Sequence, residues 1–135
     1  MNKLSLENER ELLQSSSDRV RIAYISNCWI YAPCEHWLIQ NTADKVVKTL
    51  VKKWPLSPKG EVLLIERGNP LLIKTYIKSM SLGEGAQKAL IKRGNHSEIM
   101  LYISLHHNLF HSAVDDLRVR NNKQEIDAYN DMAQI

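Results

Sequence analysis

The sequence has few cysteines and no long apolar segment, and both absences limit what the chain can be. Cys28 and Cys34 are the only cysteines among 135 residues, too few for a disulfide scaffold, so we expect packed, reduced thiols. Residues 1–19 are polar and acidic, unlike a secretory signal, and no stretch reaches the length of a membrane-spanning helix. We therefore expect a cytoplasmic protein with no membrane partner.

Motifs of catalysis are missing as well. The chain has no Gly-x-Ser-x-Gly turn, no phosphate-binding glycine loop and no paired-carboxylate motif. Two loose groups of metal-binding residue types occur, namely His106, His107 and His111, and Cys28, Cys34 and His36. Neither group has the spacing of a zinc site with three or four ligands. We expect no enzyme activity, no metal and no cofactor, and an enzyme with a histidine-centred site is the weakest alternative.

The sequence does contain a repeated motif. LIERGNPLLIKTYI begins at Leu64, and LIKRGNHSEIMLYI begins 26 positions later at Leu90, with eight identities between them. The same shift places apolar residues at equivalent sites in both directions, with one extra residue near position 108. Repeats are best sought first, because they decide the whole fold. We predict five copies, at residues 8–33, 34–59, 60–85, 86–112 and 113–135.

We predict that each copy forms two helices joined by a short hinge. Glycine suits the left-handed position just past a helix end, and asparagine can fill that position or cap the next helix. The predicted hinge residues are Gly68, Asn69, Gly94, Asn95, Asn121 and Asn122. Further caps are predicted at Ser16 to Asp18, at Thr42 and Asp44, and in a capping box of Ser81 and Glu84.

The apolar faces of these helices predict how the copies associate. Ile73, Tyr76 and Ile77 lie at helical spacing, and a hairpin this small buries such a face only by stacking on its neighbours. Polar residues replace apolar ones at the two ends of the array, at Arg21, Arg118 and Asn130. The fold class predicted is all-α, an α-solenoid of about five repeats.

Over residues 8 to 133 the chain resembles the broad class of short helical-repeat proteins, including HEAT-like repeats and the leucine-rich-repeat variant. The resemblance rests on the 26-residue period, on the residues that end and cap the helices, and on the motif LI-x-RGN-x(3)-I-x(2)-YI. It implies binding through an extended surface, without a shared catalytic residue.

Positive charge is concentrated in the middle of the chain. Residues 45–78 contain eight Lys or Arg and two Glu, whereas the segments on either side are weakly acidic. Lys48 and Lys74 are equivalent positions in adjacent copies, as are Lys52 and Lys78, so stacking would align them beside Lys45. Such rows could bind phosphates or an acidic partner, but a solvated outer face of the helices is the simpler interpretation, because lysine is the usual residue on exposed helix surfaces.

Aromatic and arginine side chains allow two interpretations each. Trp29, Trp37 and Trp54 could stack on a ligand if exposed, or pack between copies. The repeated Arg67 and Arg93 could complement helix ends and pack against the hinge of the next copy, or could bind phosphate from an open groove.

The functional expectation that follows is a non-enzymatic scaffold that binds a protein or peptide through an extended surface. The alternative is a nucleic-acid-binding array that uses Lys45, Lys48, Lys52, Lys74 and Lys78.

Overall fold

A computed structural model describes residues 3–106 and 108–133, and within them all regular secondary structure is α-helix. The all-α prediction is confirmed, since no strand occurs in the part of the chain that the structure describes. The ten helices are α1 Leu6–Ser15, α2 Asp18–Asn27, α3 Ala32–Asn41, α4 Asp44–Lys53, α5 Pro58–Arg67, α6 Pro70–Ile77, α7 Glu84–Arg93, α8 His96–Leu105, α9 His111–Arg120 and α10 Lys123–Ala133.

Turns of two residues connect the helices of three pairs, α5 with α6, α7 with α8 and α9 with α10. Gly68 and Gly94 adopt left-handed conformations with φ of 79° and 75°, and Asn121 does so with φ of 59°. The side chains of Asn69 and Asn95 accept hydrogen bonds from the first backbone N–H groups of α6 and α8. Ending one helix and capping the next therefore takes two residues.

One of the further predicted caps is confirmed and two are wrong. Ser17, within the predicted Ser16 to Asp18, caps α2 by accepting a bond from the Val20 N–H. The predicted box of Ser81 and Glu84 is wrong, because α7 begins at Glu84 and Gly83 is its N-cap. Thr42 does not cap α4 either, since its hydroxyl donates to the Leu38 carbonyl at the end of α3, at 2.6 Å.

The helices pack in two rows. Each odd-numbered helix packs against the next odd-numbered one, each even-numbered helix against the next even-numbered one, and the rows meet within pairs such as α3 with α4 and α5 with α6. Both rows contribute to one buried apolar cluster, in which Leu38, Leu64 and Leu90 come from the odd row and Leu50 and Ile73 from the even row. The core therefore runs along the chain from one helix pair to the next.

The polar substitutions at the two ends lie near or on the surface. Arg118 and Asn130 are exposed, whereas Arg21 is partly buried and donates to the Leu13 carbonyl at 2.7 Å. No helix in the described part of the chain is long and apolar enough to cross a bilayer.

Candidate functional site

The five lysines singled out in the sequence lie together on the outer side of the even row. Lys45, Lys48 and Lys52 belong to α4. Lys74 belongs to α6, the helix that packs beside it, and Lys78 is the C-cap of α6. We call this surface the lysine face. Lys45, Lys52 and Lys78 are exposed and the other two are partly exposed. The structure thus brings these side chains onto neighbouring helices, on the side away from the buried residues of α4 and α6.

The positive charge of the lysine face is not neutralised by the protein. Within residues 3–106 and 108–133, no ion pair involves any of the five lysines. The Lys74 ammonium donates to the Ser97 hydroxyl at 2.7 Å, a bond that carries no opposing charge. Asp44, at the start of α4, is engaged by Arg67 and Asn69. Such a surface attracts anionic groups.

The three tryptophans differ in how far they are buried and in what they contact. Trp54 is partly buried, and its indole N–H donates to the Ile25 carbonyl at 2.7 Å, which ties the ends of α2 and α4 together. Trp37 is partly buried beneath the Arg21 guanidinium. Trp29 is 49% exposed and lies beside Tyr31, in the turn before α3. Two of the three are therefore packing residues.

The repeated arginines join one hinge to another. Arg67 donates to the Ile39 carbonyl at 2.7 Å, and Arg93 donates to the Gly68 carbonyl at 3.0 Å. Both acceptors lie at or near the end of the preceding odd-numbered helix, so the expectation that these arginines pack against the hinge of the next copy is wrong. Because these guanidinium groups are bonded to protein acceptors, the structure favours their structural interpretation over a row that binds phosphate.

A series of buried acceptors was missed by the sequence interpretation. Glu9, Glu35, Glu61 and Gln87 lie 26 residues apart on α1, α3, α5 and α7, and all four are buried. We call them the buried acceptor series. Each accepts a hydrogen bond from the backbone N–H of the N-cap residue of the next odd-numbered helix, and these donors are Tyr31, Ser57, Gly83 and Phe110. A helix leaves its first N–H groups unpaired, and here the preceding copy supplies the partner. The spacing was visible in the sequence, but polar residues do not stand out in a search for apolar periodicity.

Two further buried carboxylates are paired with arginines. The Arg93 guanidinium donates to Glu98 at 2.9 Å, and that of Arg120 donates to Glu125 at 2.7 Å. Each arginine precedes its glutamate by five residues. This is a second regular spacing that the sequence interpretation missed. His96 also lies 2.6 Å from Glu125. Burial alone would raise the pKa of Glu125, but the bonds from Arg120 and His96 outweigh burial and lower it.

Ser57, His36 and Glu35 are close enough to suggest a catalytic group. The Ser57 hydroxyl donates to Glu35 at 2.7 Å and lies 2.9 Å from His36 Nε2. The hydroxyl has one proton, which Glu35 accepts, so His36 can only donate to Ser57 and cannot act as its base. The same hydroxyl accepts the Gly60 N–H as the cap of α5. This geometry suits helix capping, and it lacks the nucleophile–base bond of an activated serine.

The candidate metal residues do not come together. No group of three or more potential ligands forms in residues 3–106 and 108–133, and His107 lies outside the described residues. His106 is 2.6 Å from the Ile77 carbonyl, and its ring packs on Tyr102. Cys28 and Cys34 are free thiols, and burial, with the nearby charge of Glu9, raises the pKa of Cys34 to about 11. A thiol of that pKa is a poor nucleophile at neutral pH.

A groove crosses the surface of the odd row. It is lined by apolar residues of three successive odd-numbered helices, Val62 of α5, Ala89 of α7 and Val119 of α9, and by charged residues of both signs, Glu66, Lys88, Lys92 and Asp116. Val119 is 85% exposed, so the groove presents apolar surface to solvent. Apolar surface beside mixed charge is typical of protein-binding sites.

Comparison with known proteins does not assign the chain to a family. No family model, no curated protein sequence and no solved structure gives a significant match.

Proposed function

We propose that the ten helices form a five-repeat α-solenoid that binds a protein or peptide partner in the groove lined by Val62, Ala89 and Val119. The two rows of helices support the array, because each pair packs on its neighbours as repeat units do. The observation that carries the function is the groove itself, where the exposed Val119 and the partly buried Val62 and Ala89 lie beside charges of both signs. No catalytic group is needed for this role.

The test compares one groove variant with a matched control. Val119→Glu places a charge in the groove at a side chain that is 85% exposed, and Leu71→Glu does the same at a 62% exposed side chain of α6, in the other row. Neither change disturbs the core. A partner recovered by cross-linking and identified by mass spectrometry should bind the purified V119E chain at least ~10-fold more weakly than L71E, because a charge in an apolar contact is left unpaired. Equal binding to both variants, or no specific partner, argues against the proposal.

The lysine face supports a second candidate, binding of nucleic acid. Its five lysines have no ion-pair partners among the described residues, and they lie on two adjacent helices or at the C-cap of one of them. Binding through such a surface releases counterions and weakens steeply as salt increases.

Fluorescence anisotropy with a short duplex DNA and a single-stranded RNA tests this candidate. Neutralising Lys48 and Lys74 to glutamine should reduce the slope of log affinity against log salt by about two, one per lost phosphate contact. Lys88→Gln with Lys92→Gln, two exposed lysines of α7, is the control. If the unmodified chain binds neither probe at low salt, the candidate is rejected.

A further inference from the structure

The ammonium group of Lys3 lies in a cage of aromatic rings. Its Nζ is 4.3 Å from the centre of the Trp29 ring, 4.9 Å from that of Tyr31 and 5.2 Å from that of Tyr24. Trp29 and Tyr31 meet edge to face, with ring centres 4.7 Å apart. Aromatic faces attract cations electrostatically, and three rings around one ammonium form a recognised kind of cation-binding site.

One wall of the cage is a buried carboxylate. Glu9 is fully buried, and its Oε1 accepts a hydrogen bond from Lys3 at 2.7 Å. Its other oxygen accepts the Tyr31 N–H at 3.1 Å, as expected for the first member of the buried acceptor series. The cage of Tyr24, Trp29, Tyr31 and Glu9 thus combines aromatic rings with a negative charge removed from water, where ionic attraction is strongest.

The first copy differs here from the third. In the third copy Tyr76 donates directly to Glu61 at 2.7 Å. Tyr24 is the equivalent tyrosine, since it precedes Tyr76 by two periods of 26 residues. In the first copy the Lys3 ammonium stands between the tyrosine and the glutamate, bonding Glu9 and also the Tyr24 hydroxyl at 3.1 Å. A cation therefore replaces a direct hydrogen bond that the fold makes elsewhere.

The occupant uses all of its donors. A lysine ammonium has three N–H bonds, and Lys3 directs them to Glu9, to the Tyr24 hydroxyl and to the Trp29 carbonyl. Burial alone would lower the pKa of Lys3, but the bonds to Glu9 and Tyr24 and the charge of Glu9 prevail and raise it. The cage is built for a charged primary ammonium.

The cage also adjoins open apolar surface. Lys3, Tyr24 and Trp29 line a groove together with Leu12, Val20 and Trp54. Val20 and Trp29 are 44% and 49% exposed. The groove gives a second molecule a route to the cage, provided that Lys3 moves away.

We propose that the cage of Tyr24, Trp29, Tyr31 and Glu9 is a binding site for the primary ammonium of a lysine side chain, that Lys3 is its internal ligand, and that a lysine of a partner protein takes the site when Lys3 leaves. This site is separate from the groove on α5, α7 and α9, so its test does not depend on the proposed function. Because three acceptors surround the nitrogen, a trimethylated ammonium loses every hydrogen bond and binds less well than the unmodified group.

Chemical rescue of a variant without the internal ligand is the first test. Lys3→Ala empties the cage, and N-acetyl-lysine methylamide is the probe. The probe should raise the Tm of K3A in a saturable way, because a ligand that binds only the folded state stabilises it. The unmodified chain should respond at least ~10-fold more weakly, since its tethered Lys3 competes at high effective concentration. Lys52→Ala, which removes an exposed lysine of α4, should behave like the unmodified chain.

Two controls establish the chemistry of the site. The Nζ-trimethyl form of the probe should stabilise K3A at least ~10-fold less effectively, because it cannot donate to the three acceptors. Adding Trp29→Leu to K3A should abolish the response, since it removes the nearest ring. Because rescue is read as a gain in stability, a weakly folded K3A chain still gives an answer. If K3A gains nothing from the probe, or as much from its trimethyl form, the proposal is wrong.

Nuclear magnetic resonance of the unmodified chain is an independent test. The Lys3 ammonium should give a slowly exchanging proton signal, shifted upfield by the surrounding rings, and Trp29→Leu, which removes the nearest ring, should reduce the upfield shift. If no protected ammonium signal can be assigned to Lys3, the internal ligand is not in the cage and the proposal fails, whatever K3A does.

Discussion

Contacts between successive odd-numbered helices constrain individual residues in ways that local sequence does not show. Glu35 is buried, and both of its oxygens accept the Ser57 N–H, at 3.1 and 3.2 Å. The space it occupies lies against Gly60 in the first turn of α5, where a Cβ would be 1.8 Å from the Glu35 Oε1. Gly60 and Glu35 are 25 positions apart in the sequence. Neither residue type indicates that the Glu35 carboxylate fills the space that a side chain at position 60 would need.

Replacing each of two helical glycines by alanine should therefore change the free energy of unfolding in opposite directions. Gly60→Ala forces Glu35 off its bonds to Ser57, so we expect a loss of ~2–3 kcal/mol in the free energy of unfolding, typical of an unsatisfied buried group. Gly85→Ala in α7 places a Cβ 3.7 Å from Val62, an ordinary contact, and should gain up to ~1 kcal/mol from reduced backbone freedom in the unfolded chain. Urea unfolding of both variants measures the contrast. A stable G60A chain would show that Glu35 can move without cost.

The buried glutamates should also differ in their dependence on pH. Burial, with the charge of Glu61, raises the pKa of Glu35 above the ordinary 4.5, despite the bonds from Ser57. Its proton is then bound more tightly in the folded chain, so the unmodified protein should lose stability relative to Glu35→Gln as pH rises from 4.5 through the raised pKa.

Glu125 should show the opposite trend, because its pKa is lowered from 4.5. The stability that this carboxylate contributes is present above pH 4.5 and is lost as pH falls through the lowered pKa, so the disadvantage of Glu125→Gln should shrink in acid. Urea unfolding of both variants and the unmodified chain at a series of pH values measures the two trends. Parallel curves for E35Q and E125Q would contradict both assignments.

At the scale of helices, the sequence predicted the elements better than their beginnings. Apolar spacing indicated an all-helical chain, and that is what the described residues form. The predicted start of α7 at Ser81 was wrong for a tertiary reason. Leu82 is buried and its N–H donates to the Tyr102 hydroxyl at 3.0 Å, so this stretch is held in the turn by α8. A local capping pattern cannot reveal a bond to a residue 20 positions away.

Adding a side chain at a hinge glycine should destabilise the protein, whereas removing the side chain of a hinge asparagine should have little effect on its stability. Gly94→Ala places a Cβ at φ of 75° and 2.8 Å from an Arg120 nitrogen. The left-handed conformation alone costs alanine ~1–2 kcal/mol, and the contact with Arg120 adds to this. Asn121→Gly relieves the same strain at φ of 59° and should change stability by less than ~0.5 kcal/mol. Thermal unfolding of both variants checks this, and a larger loss in N121G would mean that the asparagine side chain matters more than the backbone.

At the scale of the whole molecule, the candidate surfaces were only partly visible in the sequence. Equal spacing predicted that Lys48 and Lys74 lie on neighbouring helices, because equivalent positions of stacked copies align. The cage around Lys3 could not be predicted in this way. It joins residues from before α1, from α1, from α2 and from the turn before α3, which are brought together by tertiary packing that includes that of α1 on α3. Periodicity reveals what the copies share, whereas these sites depend on where they differ.

Stability should vary along the chain if the array is built from neighbour-to-neighbour contacts, as we propose. α2 buries only Ile25 and α10 only Glu125, whereas α4 and α6 each bury four side chains. Native-state hydrogen exchange should therefore find the earliest opening in α2 and α10 and the strongest protection in α4 and α6.

The variant Ile73→Ala sharpens this expectation, because its side chain is fully buried in α6. The substitution should lower the free energy of opening by ~2–5 kcal/mol for amides whose exchange requires α6 to open. The loss should extend to α4 and α8, which pack against α6. Local opening of α10 should be little affected, since α10 packs on α8 and α9. An equal loss of protection in all ten helices would instead mean that the chain unfolds as one cooperative unit.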